Sequence, residues 1–264
     1  LEKGVPIRAI CRAISVLQAV NRKGPLTMME ISRAAGVPYP TAFRLVQTLI
    51  YEGMIELDTD LKRYKPTSQV QSLSCGFQDS ELLVEVARPC IVSLTRRIGW
   101  PVSISSRVGH NMILRDSTHA NTSLTFERYY PGFTLPILDS ASGRLCLAFT
   151  PQEERDALLR WLRVSKLVDS EYLRGASYAL NLDQIKEQGY AVQGRNLHNL
   201  TPGKTASIAI PILKDDVFLA AMTVVFFISS MSVDTALSKY LDDMRSVSSS
   251  ISNILQNYSP LNTP

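Results

Sequence analysis

Apolar positions along the first eighty residues fall into three helical runs and a pair of short alternating ones. Ile7, Ile10, Ile14 and Leu17 recur every three or four residues and predict a helix over 7–21. Gly24 and Pro25 interrupt it. Thr27, Met28, Met29 and Glu30 then form a capping box, in which the Thr27 hydroxyl accepts from the Glu30 amide and the Glu30 carboxylate reaches back to the Thr27 amide. Met28, Ile31 and Ala34 or Ala35 face inward on this second helix, and Gly36 suits the left-handed residue that ends it. After a turn at 37–40, with Pro40 fitted to the first helical position, a third helix is predicted over 40–52. Its apolar stripe is Ala42, Leu45, Val46 and Leu49, and its opposite face carries Tyr39, Thr41, Phe43, Arg44, Gln47 and Thr48. Gly53 closes the helix, and 54–57 and 62–66 read as two strands of a hairpin turning at 58–60.

The rest of the chain alternates helices and strands. A polar stretch with Val70 and Leu73 reads as a short linker helix, with a break at Gly76. Leu83, Val86, Ala87, Cys90, Ile91 and Leu94 mark an amphipathic helix ending near Gly99. Strands are expected at 102–107 and 112–115 about Gly109, helices at 141–149, 152–162 and 183–188, and a strand at 190–193. A β pair over 205–213 and 217–227 turns at 214–216, and Leu237, Tyr240, Leu241, Met244, Val247, Ile251 and Leu255 give a long final helix. The expected organisation is a winged helix-turn-helix over 1–66, a linker over 67–79, an α+β domain with a mostly antiparallel sheet over 80–258, and a tail over 259–264.

Charge sharpens this picture. The net charge is only +4, but residues 1–79 hold 10 Lys/Arg against 7 Asp/Glu, whereas 80–264 hold 18 against 17. The surplus lies where a phosphate partner is expected. An ordinary solvated surface accounts for the same numbers. Cys11, Cys75, Cys90 and Cys146 form no CxxC pair and sit among apolar residues, so buried free thiols in a reducing cytoplasm are expected. No signal peptide is visible, and the apolar stretch 217–228 is too short to span a bilayer. Leu1 is not Met, which leaves room for residues ahead of it.

The polar face of the third helix has the chemistry of a base reader. Arg44 suits guanine, Gln47 suits adenine, and the Thr41 methyl and Phe43 ring suit the thymine methyl. Lys62, Arg63 and Lys65 on the return strand suit flanking phosphates. Arg8, Thr27, Tyr39 and Pro40 complete the candidate DNA-binding set. A helical hairpin is also common as plain structure; what favours DNA is the order of helix, capped helix, glycine turn, polar-faced helix and basic hairpin.

No convincing active site emerges. His110, His119 and His198 lack metal-ligand spacing, so no metal or other cofactor is expected. Gly203, Lys204 and Thr205 resemble the end of a phosphate loop, but that loop needs a glycine where His198 stands and a helix where a strand follows. There is no GxSxG, and nothing joins Ser140, Ser142 and His119 as nucleophile and base. Binding has a better case. Ser140, Ala141, Ser142 and Gly143 open an apolar helix, and small residues at a helix N-terminus let free amides and the dipole meet a carboxylate. A merely capped helix fits the same residues. Trp100, Met112 and Phe126 suit either apolar walls or core, and Arg115 and Arg128 either an acid or the surface.

The run GPLTMMEISRAAGVPYPTAFRLVQTLIYEGMIELD resembles the DNA-binding domain of the IclR family of bacterial regulators, and IKEQGYAV, SIAIPI and SASGRLCLAF continue the resemblance. Pro40 and Phe43 stand where that family usually has Ser and His. WPVSIS, RDSTHANTSLTFER, LPILDSASG and KTASIAIPI resemble the branch of MhpR-type activators of 3-(3-hydroxyphenyl)propionate catabolism. The resemblance implies a GAF-like sensor domain, with Ser140 to Gly143 lining an effector pocket and Ser207 and Thr223 facing it from adjacent strands. It implies a dimer or tetramer, double-stranded operator DNA, a small aromatic carboxylic acid as effector and, for an activator, RNA polymerase as partners. A repressor on the same fold, or an enzyme or sensor that does not act on DNA, are the alternatives.

Overall fold

The computed structural model describes residues 6–74, 79–125, 129–164, 176–195 and 203–258. The chain divides into two compact units, Leu1–Gln78 and Asp79–Pro264.

The first unit holds α1 (Arg8–Lys23), α2 (Met28–Ala35), α3 (Tyr39–Tyr51) and a hairpin of β1 (Ile55–Asp58) and β2 (Arg63–Pro66). The capping box is present at α2, and Gly36 closes that helix at φ 63°. A cap of this kind stabilises a helix by about 1 kcal/mol. Val16, Val20, Ile31, Ala42, Val46 and Ile55 are buried together, with Tyr64 closing the cluster from the wing. The α1 stripe differs from the one its periodicity suggests. Val16, Ala19 and Val20 are the buried positions, whereas Ile7, Ile10 and Ile14 are 64%, 54% and 51% exposed. The helix has two apolar faces and the head buries only one. Cys11 shares the open side and is exposed, against the expectation of a buried thiol; Cys146 is buried, Cys90 half-buried, and Cys75 lies outside the described residues. A short 3-10 helix, Ser68–Ser74, follows the wing.

The second unit is α+β. Its sheet has the order β5 (Thr134–Pro136), β4 (Asn111–Ser117), β3 (Val102–Val108), β8 (Val217–Phe227), β7 (Thr205–Lys214) and β6 (Ala191–Gln193), and every pairing is antiparallel. Both faces are covered, so alternate residues of the central strands enter two different cores. Ile104, Ile208, Ile210, Met222 and Val224 pack against α4 (Asp79–Ile98) and α8 (Val233–Asn257). Met112, Ala209 and Ala221 pack beneath α5 (Ala141–Phe149), joined by α6 (Gln152–Val164) and α7 (Ala176–Gln188). Three residues forming β5 gave no strand signal of their own. Among the described residues no helix is long and apolar enough to cross a membrane.

Candidate functional site

In the first unit, α3 is seated by Ala42 and Val46, both fully buried, with Leu45 and Leu49 half-buried beside them. The helix therefore turns its other side outward. Tyr39, Pro40, Phe43, Arg44 and Gln47 are exposed and Thr41 is half-buried. The Arg44 and Gln47 side chains have no protein partner among the described residues, while the Thr48 hydroxyl donates back to the Arg44 backbone carbonyl. A guanidinium, an amide, a hydroxyl and two aromatic rings thus share one solvent-facing strip, a donor and acceptor set suited to base edges. Arg8 is exposed in the first turn of α1.

Thr27 and Arg63 are engaged within the protein. The Thr27 hydroxyl accepts from the Glu30 amide at 3.4 Å and meets Glu30 Oε2 at 3.0 Å, so it serves the cap. Hydrogen bonds from the Thr27 amide and then its hydroxyl to the carboxylate, followed by the nearby Arg63 and Arg33 charges, hold the Glu30 carboxyl below its ordinary pKa. Arg63 donates to the Pro25 carbonyl and to Glu30 rather than standing free as a phosphate contact. Lys62 is exposed at the wing turn with φ 50°.

In the second unit, a narrow cleft lies between the start of α5 and one face of the sheet. Ser140, Ala141 and Ser142 form one side, and Ser103, Thr205, Ser207, Thr223 and Val225 the floor. Leu114, Tyr129 and Leu135 close it. Among the described residues, six serines and threonines, the Tyr129 phenol and no lysine or arginine line it, and its free core is only about 30 Å³. The hydroxyls differ in what they have to offer. Ser140 Oγ is spent: it donates to the Pro136 carbonyl and accepts from the Gly143 amide and the Ser142 hydroxyl. Thr223 Oγ1 is buried with no protein partner among the described residues, as is Ser105 Oγ on the same sheet face. The amides of Ala141 and Ser142, in the first turn of α5, have no intrahelical acceptor.

The structure thus brings together Ser140, Ala141, Ser142, Ser207 and Thr223, but separates Gly143 from that group. Its Cα lies against the Ile137 backbone, and the absence of a side chain there serves packing. Ser103, Thr205 and Tyr129 were missed. Ser103 and Ser105 alternate with Val102 and Ile104, so the polar face of β3 was visible but its direction was not. Trp100 and Met112 are core: Trp100 stacks edge-on against Phe226 and Phe227 on the other sheet face, and Met112 is fully buried under α5. Arg115 donates to Ser106 Oγ at 2.6 Å. Phe126, Arg128 and His198 lie outside the described residues.

Behind Tyr129 stands His119. The rings are 4.6 Å apart, His119 Nδ1 is bonded to the Ser117 hydroxyl, and Nε2 is buried without a partner among the described residues. Burial lowers the His119 pKa to about 4, so the ring is neutral at pH 7. Among the described residues no cluster of three or more metal-ligating side chains occurs.

Two family descriptions match this chain: an IclR helix-turn-helix domain over residues 9–59, and the C-terminal region of bacterial transcriptional regulator IclR over residues 77–253. The HTH-type transcriptional regulator BhcR of Paracoccus denitrificans is 26% identical over 207 residues, covering 78% of this chain and 72% of that one. The HTH-type transcriptional regulator TsaQ1/TsaQ2 of Comamonas testosteroni is 22% identical over 196 residues, covering 72% and 69%. Among solved structures, an IclR homolog from Microbacterium hydrocarbonoxydans complexed with 4-hydroxybenzoate superposes with a TM-score of 0.69. It is 20% identical, over 95% of this chain and all of that one, a likeness that shows the fold.

Proposed function

This chain belongs to the IclR family of DNA-binding transcriptional regulators, and from that premise we propose that it is an effector-responsive regulator of an aromatic-acid catabolic operon. The observation that carries the DNA side is the orientation of α3. Its apolar stripe is pinned to the head and its Arg44 and Gln47 face solvent. On this reading α3 enters the major groove of double-stranded operator DNA. Tyr39, Thr41, Phe43, Arg44 and Gln47 meet base edges, while Arg8, Pro40 and Lys62 lie at the backbone.

The cleft at the start of α5 is the proposed effector site. A carboxylate there meets the first-turn amides, and the unpartnered Thr223 hydroxyl takes a second polar group. An aromatic acid suits the Leu114, Tyr129 and Leu135 wall, and the 4-hydroxybenzoate held by the Microbacterium homolog supports that class. A free core of about 30 Å³ does not admit a ring, so entry requires a wall to part. The sheet floor is bonded on both sides and α5 is pressed onto Ile137, which leaves the Tyr129–Leu135 side as the one that yields. Such a movement is how binding favours one state over another.

Two copies pair through the open α1 face, so that two heads read a near-palindromic operator. Activation, through RNA polymerase, is favoured by the resemblance to MhpR-type activators; repression needs only a different operator position. A gel shift with the intergenic DNA upstream of the operon, with and without 4-hydroxybenzoate and 3-phenylpropionate, tests the whole reading. Binding that responds to an acid and loses base discrimination in Arg44→Ala is expected. Turnover of the acid without any shifted DNA overturns it in favour of an enzyme.

A further inference from the structure

The wing carries three cations, and two of them are already committed. Lys65 pairs with Glu56 across the hairpin at 3.1 Å. Arg63 reaches out of the hairpin altogether: Nη1 donates to the Pro25 carbonyl at 2.8 Å and to Glu30 Oε2 at 3.2 Å. The same carboxylate oxygen accepts from the Thr27 amide at 2.8 Å. Next to this joint, Leu26 and Tyr64 exchange two backbone hydrogen bonds at 3.0 and 2.7 Å, so residues 25–30 and the wing are fastened at adjacent points. Lys62 sits at the turn, exposed, with no partner among the described residues.

We infer that Arg63 is a positioning residue for DNA binding: it fastens the wing to the start of α2 and so presents Lys62 to the duplex backbone. The inference rests on the proposal that the head binds DNA. An exposed ion pair by itself contributes little. Here the guanidinium is held by a carbonyl as well as a carboxylate, and that carboxylate is fixed by the α2 cap. Transferring Arg63 to a phosphate takes from Glu30 its ion-pair partner and leaves only the Arg33 charge near that carboxylate, which opposes the exchange. The phosphate-contacting cation of the wing is therefore Lys62, and the joint sets where it points.

The test uses the full chain and a duplex that the wild type recovers from a random pool, with affinity measured across a salt series. Lys62→Gln lowers the slope of log affinity against log salt by about 0.9, the share of one phosphate. Arg63→Gln lowers it by about the same amount, and the double variant loses no more than either alone. Glu30→Gln keeps the capping box, because Gln serves at that position, yet weakens binding several-fold although it removes a negative charge. It also keeps the question answerable if Arg63→Gln fails to fold. Additive loss in the double variant, tighter binding by Glu30→Gln, or an unchanged slope in Lys62→Gln or Arg63→Gln each overturns the inference. If the wild type recovers no duplex at all, it is the DNA-binding reading that has failed.

Discussion

Gly143 lies directly against Ile137: a Cβ at residue 143 would stand 2.1 Å from the Ile137 carbonyl oxygen and 2.5 Å from its Cα. Both neighbours are backbone, so no side chain can swing aside. Gly143→Ala is expected to push α5 away from the Ile137 backbone and to destabilise the second unit by roughly 1–3 kcal/mol, the usual cost of overpacking. A thermal melt reads this directly. A melting temperature equal to the wild type's, with the acid response retained, contradicts the tight-packing role.

His119 makes stability depend on pH. Its folded pKa of about 4 lies below the ordinary value of 6.5, so the folded state holds the neutral ring and resists protonation. Above pH 6.5 both states are neutral and nothing is lost. As pH falls from 6.5 toward 4 the unfolded chain gains protons that the native ring refuses, and stability drops. At pH 5 the loss is on the order of 2 kcal/mol. Urea unfolding at pH 7.5 and pH 5 of the wild type and His119→Gln checks it. The variant should be less stable at neutral pH but lose less on acidification; equal losses mean the ring titrates normally.

The elements were legible because their signals are local. Thr27 with Glu30, Gly36 at positive φ, and the Ala42–Val46 stripe each depend on residues a few positions apart, and each stands where the pattern put it. The side of α1 that is buried was not legible, because Ile7, Ile10 and Ile14 are as periodic as Val16, Ala19 and Val20. Periodicity identifies a helix but does not choose between two apolar faces. The cleft was half legible. Ser140 to Ser142 advertise a helix start, whereas Ser103 reaches the floor it shares with Thr205 only through a strand pairing with Thr223, 120 positions away. The Arg63 ion pair was not legible for a similar reason: a basic residue on a wing gives no sign of the carboxylate 33 positions away that stands beside it.

The open face of α1 yields a prediction about paired heads. Ile10→Asp with Ile14→Asp places two charges on a surface the head does not bury, so the head itself should keep its fold. Binding to a single half-site is expected to change little beyond the effect of two added negative charges. Cooperative occupancy of two half-sites about one helical turn apart should be lost. Footprinting on duplexes with one and two half-sites separates these outcomes. Full cooperativity in the variant means the heads pair through some other surface.

Thr223 gives the sharpest discrimination between a ligand group and a structural one. A buried hydroxyl with no partner destabilises the fold, and replacing it with an isosteric methyl relieves that cost. Thr223→Val is therefore expected to stabilise the unliganded chain by about 1 kcal/mol. The same change removes the hydrogen bond proposed for the effector, so the thermal shift produced by 4-hydroxybenzoate or 3-phenylpropionate should shrink or vanish. A ligand stabilises in proportion to the logarithm of its concentration over its dissociation constant, so a tenfold loss of affinity is readable in a titration. The two effects have opposite signs in one protein, which no general weakening of the fold reproduces. If Thr223→Val melts lower than the wild type while its acid response is intact, the hydroxyl belongs to the scaffold and the cleft's polar recognition lies elsewhere.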